Sequence, residues 1–233
     1  MSMKKWFVWA ILFAGQCCLA QTVSPIIVEY KAKAEGRIAL TNNTLAPMAV
    51  IVQPRSFTIK TDGNGVYAPL DPGIHVELSS SSFRIDPGQT YYVFYKATAE
   101  KLPAWFTIYS TFSAVKRAPG MDVRILLPHT VYIYPKKPQT KGDIIKVSNV
   151  VYSPKSGKIL CDLENDTPDL DRVEEINFLD GESKPGATAP GFPVLPGSKR
   201  HLEIDWKEPT PPRQAVFQTE HSKLEWWVAR GIE

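Results

Sequence analysis

Four histidines, a single thiol beyond the first twenty residues and a few paired acids are the side chains of this chain that could do covalent or metal chemistry. His75, His129, His201 and His221 stand far apart, without ligand spacing. A zinc site needs nitrogen or sulfur ligands brought together, and Cys161 is the one thiol left to join them. No G-x-S-x-G nucleophile elbow, phosphate-cradling glycine loop or H-E-x-x-H helix occurs. Glu174 with Glu175, and Asp169 with Asp171, flank an apolar run and read as solvated acids, while Cys161 sits inside the apolar run 159–163 and reads as a core thiol. The sequence therefore predicts no enzyme, no metal and no cofactor. Binding is the chemistry that remains.

The residues best arranged to bind lie in 121–134, MDVRILLPHTVYIY. Met121, Val123, Ile125 and Leu127 share one parity and Asp122, Arg124 and Thr130 the other, so the apolar period is two and the stretch is a strand. At about 3.3 Å per residue it would run roughly 45 Å, longer than most strands. Pro128 has no N–H to give to a ladder, which assigns it to an edge strand or a bulge. A long apolar edge pairs readily with other chains, so either it is covered or it is lent to a partner. In the second case main-chain hydrogen bonds supply affinity and Met121, Val123, Ile125 and Leu127 fill pockets; in the first, the row is an ordinary core face. Ile26, Ile27 and Val28 form either an edge beside the same groove or a strand that caps it. Arg124 could meet a carboxylate bidentately or point into solvent. Lys116 and Arg117 read as a wet loop.

These stretches are positioned by strands throughout. Residues 1–20 carry Lys4 and Lys5, an apolar run and a small-residue end at Ala20, the pattern of a secretory signal peptide and too short for a membrane span. Its removal takes two lysines and no acids from a formal charge of +3, leaving a near-neutral chain with no electrostatic reason to bind nucleic acid and no stable membrane insertion. A secreted chain with one thiol has no internal disulfide, so its core must hold it. Segments 28–30, 37–41, 48–53, 74–78, 82–85, 91–96 and 105–115 are β-rich and separated by turn signals, with 61–72 read as a loop. About seven short strands suggest an immunoglobulin-like sandwich over 21–136. The proline-containing elbow PKKPQTKG follows, and 137–233 repeats the pattern as a smaller sandwich in which 181–197 reads as a long loop. The fold class is thus all-β, two immunoglobulin-like sandwiches joined by a short elbow. Asn42-Asn43-Thr44 matches a glycosylation sequon and reads first as a turn. Tyr91, Tyr92, Phe94, Tyr95 and Trp105 could stack on sugars, although their period fits a sandwich with one exposed row.

GRIALTNNTLAPMAVIVQP at 36–54, FRIDPGQTYYVFY at 83–95, LPAWFTIYSTF at 102–112 and the long strand followed by the elbow stand in this order. In this they resemble the PapD-like periplasmic pilus-assembly chaperones. The resemblance covers the first sandwich well and the second by length and pattern. It implies donor-strand complementation: a strand-deficient pilus or fimbrial subunit receives the row Met121, Val123, Ile125 and Leu127. An outer-membrane usher is the further partner, and the periplasm the location. It also implies a basic pair that holds the subunit's terminal carboxylate, one residue in the first strand and one late in the seventh. Here those places fall at Ile27 and at Val131 or a neighbour, with Lys31, Arg37, Arg124 and Lys136 the nearest cations. The alternative is a secreted structural or adhesive sandwich without chaperone activity. A carbohydrate-binding module stands behind both.

Overall fold

The computed structural model describes residues 21–115, 124–182 and 184–231, and the regular elements in them are β-strands. The signal-peptide segment, Lys116, Arg117, Met121 and Val123 lie outside the described residues. The first sandwich contains β1 (Thr22–Ser24), β2 (Ile27–Lys31), β3 (Ala34–Thr41), β4 (Met48–Ile59), β5 (Gly65–Pro69), β6 (Ile74–Leu78), β7 (Ser82–Ile85), β8 (Thr90–Ala99), β9 (Ala104–Ala114) and β10 (Arg124–Tyr134). One sheet runs β1-β3-β8-β6, and the other runs β2-β10-β9-β4-β5 with β7 also on β4. The chain changes sheets at Pro25: β1 lies antiparallel on β3, whereas β2 lies parallel to the end of β10. Period-two alternation buries Ile38, Val50, Val93, Phe106, Phe112 and Val131 completely between the two sheets. On β8 the same alternation puts Tyr95 inside and leaves Tyr92 and Phe94 exposed.

The second sandwich contains β11 (Lys146–Ser153), β12 (Lys158–Glu164), β13 (Asp171–Leu179), β14 (Pro185–Val194), β15 (Lys199–Asp205), β16 (Gln214–Thr219), β17 (Lys223–Trp227) and β18 (Ala229–Arg230). Its sheets run β15-β12-β11-β18 and β14-β13-β16-β17. Cys161 is fully buried in this core, and burial, with Asp162 adding to it, pushes its thiol up to about 12, so it stays a neutral packing group.

Two loops expected from the sequence are strands. Within 61–72, β5 folds back on β4 around a tip where Asp62 Oδ1 accepts from the Asn64 N–H at 2.9 Å and Gly63 has φ +88°. Within 181–197, β14 pairs with β13 alone. As a sheet edge it tolerates Pro185, Pro190 and Pro193, whose missing donors would break a central strand. The turn residues marked the ends of these hairpins and concealed the short strands between them.

One device recurs in both sandwiches. Asn42 donates through Nδ2 to the carbonyls of Ala46 (2.8 Å) and Ile85 (3.0 Å), and its Oδ1 accepts from the Thr44 N–H and hydroxyl. Asn165 donates to the carbonyls of Asp169 (2.8 Å) and Val194 (3.0 Å), and its Oδ1 accepts from the Thr167 N–H and hydroxyl. Each N-x-T corner ties the end of one strand to the opposite sheet through a fully buried amide. The Asn42 sequon is thus a structural corner, with no nitrogen left to carry a glycan.

The sandwiches meet through an apolar cluster: Phe57, Tyr132 and Tyr134 from the first, Leu170 and Leu195 from the second. Arg172 Nη1 reaches Glu29 Oε1 across the junction at 3.3 Å, and the His201 N–H donates to the Thr61 carbonyl at 2.8 Å. Asp169 secures the elbow, its Oδ2 accepting from the Gln139 (2.8 Å) and Thr140 (2.6 Å) N–H groups.

Candidate functional site

The open side of β10 is the feature that could engage another chain. Its register with β9 is unbroken from Arg124↔Ser113 to Ile133↔Ala104, but β2 covers its other side only from Thr130 to Tyr134. On that side the Thr130 N–H donates to the Ile26 carbonyl at 2.7 Å, and the Tyr134 carbonyl accepts from the Ala32 N–H at 2.8 Å. Even-numbered residues therefore turn their backbone groups away from β9, because both polar groups of a strand residue face the same neighbour. It follows that the Leu126 N–H and the carbonyls of Leu126 and Pro128 face the side where, between 125 and 129, no described strand pairs. Pro128 falls on this parity, so its missing N–H takes nothing from the β9 ladder. At Pro128 the strand is an edge, although from Thr130 onward β2 makes β10 an interior strand of its sheet.

The odd-numbered side chains of β10 point into the first sandwich. Val131 and Ile133 are fully buried there, and Ile125 and Leu127 pack partly buried against the same core. Leu126, on the opposite face, is 54% exposed. The segment 26–28 both caps and leaves open: Ile27 and Val28 pair with Thr130 and Val131, while Ile26 and Ile27 keep 61% and 43% of their surface exposed.

The candidate cations do not converge. Ile27 lies directly beside Thr130, so no basic side chain comes from either position of the implied pair. Lys31 is in register with Tyr134, at the other end of β10 from Arg124, and ten residues of strand separate them by about 33 Å. Arg37 belongs to the far sheet, where it covers the Tyr92 ring at 5.2 Å. Lys136 borders a small cavity at the elbow together with Lys31.

His129, on the same parity as the apolar row, is the polar centre of the first core. It is fully buried, with Nδ1 at 2.6 Å from the Pro25 carbonyl and Nε2 at 3.1 Å from the Tyr95 hydroxyl, which lies 3.0 Å from the Tyr30 hydroxyl. A carbonyl can only accept, so Nδ1 carries the proton and Nε2 accepts from Tyr95, whose oxygen accepts from Tyr30. Burial holds the His129 imidazole below its ordinary range, with the Pro25 carbonyl opposing. Gly36 is what admits this chain, because a Cβ there would run into the Tyr30 and Tyr95 hydroxyls. The network ties the sheet-switching segment to β10 and β8. His129 and Tyr95 are buried and Tyr30 partly so, and the three side chains link the open strand to both sheets.

Elsewhere a concavity of about 430 Å³ is lined by Ser56, Asp71, Glu100, Lys101 and Trp105 among others. Among the described residues no helix is long and apolar enough to cross a membrane.

No protein-family model and no curated protein matches the chain. Solved structures do. The YadV chaperone aligns at a TM-score of 0.52 with 13% identity, covering 88% of this chain and 97% of its own. The Salmonella enterica SafA pilin–SafB chaperone complex gives 0.52 and 13%, covering 90% and 96%. The E. coli chaperone DraB gives 0.51 and 13%, covering 89% and 98%. At this identity the likeness is one of fold: two β-sandwiches as in these chaperones, over almost their whole length.

Proposed function

We propose that the chain is a periplasmic chaperone for fimbrial subunits and acts by donor-strand complementation. The observation that carries this reading is the open side of β10 between 125 and 129, on a fold shared with structures named as chaperones. A strand laid along that side continues the sheet, so its inward face lies on the same side as Ile125 and Leu127. Those side chains, with Met121 and Val123 ahead of them, would then enter the core of the incoming sandwich. Each buried apolar side chain contributes roughly 1.5 to 3 kcal/mol, less what its own core already shields. The ladder fixes register through the Leu126 N–H and the Leu126 and Pro128 carbonyls. No cofactor or nucleotide takes part, because burial of the client supplies the free energy. An outer-membrane usher would receive the complex, and the leader-like residues 1–20 would deliver the chain to the periplasm.

With Ile27 and Thr130 at the places of the implied basic pair, the client's terminus is held by contacts other than a carboxylate clamp at that point. Arg124 and Lys31 are too far apart to share one carboxylate, and each remains a candidate contact at its own end of the strand.

The test is co-expression with candidate strand-deficient subunits encoded beside the gene, then co-purification of wild type and of the Val123→Asp, Ile125→Asp pair. A one-to-one complex lost in the pair, with the variant still melting cooperatively, supports the reading. Because Ile125 packs on the first core, Leu126→Pro serves as a second variant that spares that core. Failure to retain any subunit would move the structural or adhesive reading ahead.

A further inference from the structure

The face of the second sandwich that meets the elbow holds a group of ligands that the linear spacing of the histidines concealed. Asp171 opens β13, while Glu220 and His221 form the tip between β16 and β17. The fold brings one potential ligand atom from each within 4.8 Å of the others. We propose that Asp171, Glu220 and His221 bind a divalent transition-metal ion of the zinc class.

The geometry already suits such an ion. His221 Nδ1 lies 3.0 Å from Asp171 Oδ1. Two ligands each about 2.0 to 2.2 Å from one zinc ion stand about 3 to 3.6 Å apart, so an ion can replace the shared proton with little movement. Glu220 is exposed, and a carboxylate oxygen of it lies within 4.8 Å of the other two ligand atoms. Two carboxylates balance the charge of the ion. The imidazole sets its class, since magnesium and calcium are bound through oxygen whereas zinc, copper and nickel accept nitrogen. Three protein ligands leave a fourth position for water.

A second, independent observation points to an occupant. Asp171 is fully buried, and its Oδ2 accepts nothing among the described residues. Asp169 Oδ1 and the Tyr134 hydroxyl also lack a partner among the described residues, and the residues Asp169 and Tyr134 line, with Glu220 and His221, a neighbouring cavity of about 40 Å³. Buried carboxylate oxygens without a partner are costly, and a bound cation with its water is the chemistry that satisfies several at once. Lys31 and Lys136 border the cavity too, and their positive charge weakens the binding of a second cation. A bound ion would fasten the β16–β17 tip to the start of β13, two residues from the aspartate that holds the elbow.

The experiment uses the purified full chain, stripped with a chelator and dialysed. Zinc is titrated calorimetrically into wild type, Glu220→Gln and His221→Gln, and bound metal is counted after dialysis. Both substituted residues are exposed, so the variants should fold, and their melting curves check this. Expected are about one zinc per chain in wild type, a rise in melting temperature with zinc, and at least a tenfold loss of affinity in each variant. Binding that is absent in wild type, or unchanged in both variants, overturns the site and leaves the cavity to water. Equal competition by calcium or magnesium would overturn the assigned class.

Discussion

Replacing Leu126 by proline should separate the two sides of β10. The substitution removes one N–H from the open side and none from the β9 ladder, as Pro128 already does two residues on. The fold should lose less than about 1 kcal/mol, because the lost donor faces no described strand and the Leu126 side chain is 54% exposed. A client strand on this side would lose far more. One ladder hydrogen bond contributes a net 0.5 to 1.5 kcal/mol, and a client carbonyl left facing the proline ring in a dry interface adds about 1 to 3 kcal/mol. The total, roughly 1.5 to 4.5 kcal/mol, corresponds to about a 10- to 1,600-fold weaker complex. Competition between differently tagged wild type and Leu126→Pro for one co-expressed subunit measures it, with urea unfolding of each free chain alongside. Leu127→Pro is the control: its N–H faces β9, so the fold itself should lose about 1 to 3 kcal/mol for the ladder carbonyl left without a donor, and more from the lost packing of Leu127. Equal destabilisation by the two prolines would refute the parity assigned to β10. A Leu126→Pro chain that folds and competes like wild type would refute client pairing on this side.

Three further expectations follow from the core and the elbow. His129 is held neutral below its ordinary range, so the unfolded chain takes up a proton that the folded one refuses. The stability this provides is complete above about pH 6.5 and is lost as pH falls toward the folded value. The drop in unfolding free energy between pH 7.5 and 5.5 should shrink in His129→Gln, and an unchanged drop would exclude His129 as its source. Gly36→Ala should cost about 1 to 3 kcal/mol by pushing a methyl into the Tyr30–Tyr95 pair, and adding Tyr30→Phe should recover part of it in denaturant melts. Burial acts to raise the Asp169 carboxyl, but the Gln139 and Thr140 N–H groups outweigh it and hold the carboxyl below its usual range. Its contribution is therefore present above about pH 3.9 and lost as pH falls through the lowered value; Asp169→Ala should speed limited proteolysis at the elbow, measured at neutral pH.

How far the sequence could be read depended on whether a property lies along the chain or across it. The period of two in 121–134 and the donorless Pro128 are local, and they identified an edge strand before any pairing was known. Arrangements built across strands left no such trace. His129 looked like one more member of an apolar row, since its partners are Pro25, at the sheet switch, and Tyr95, two strands earlier in sequence. Asp171 and His221 are fifty residues apart and meet only because β13 and β16 are neighbours. Proline-rich 181–197 misled in the opposite direction: proline argues against a central strand, and β14 is an edge. The Asn42 and Asn165 corners show what could have been found. Both are N-x-T at a strand end, each followed downstream by a P-G turn whose glycine N–H returns to the asparagine carbonyl, Gly88 to Asn42 and Gly197 to Asn165, both at 2.7 Å. Other P-G pairs intervene, at 72–73 before the first turn and at 185–186 and 190–191 before the second, so the N-x-T motif was legible along the chain while its partner turn was fixed only by the pairing of the sheets.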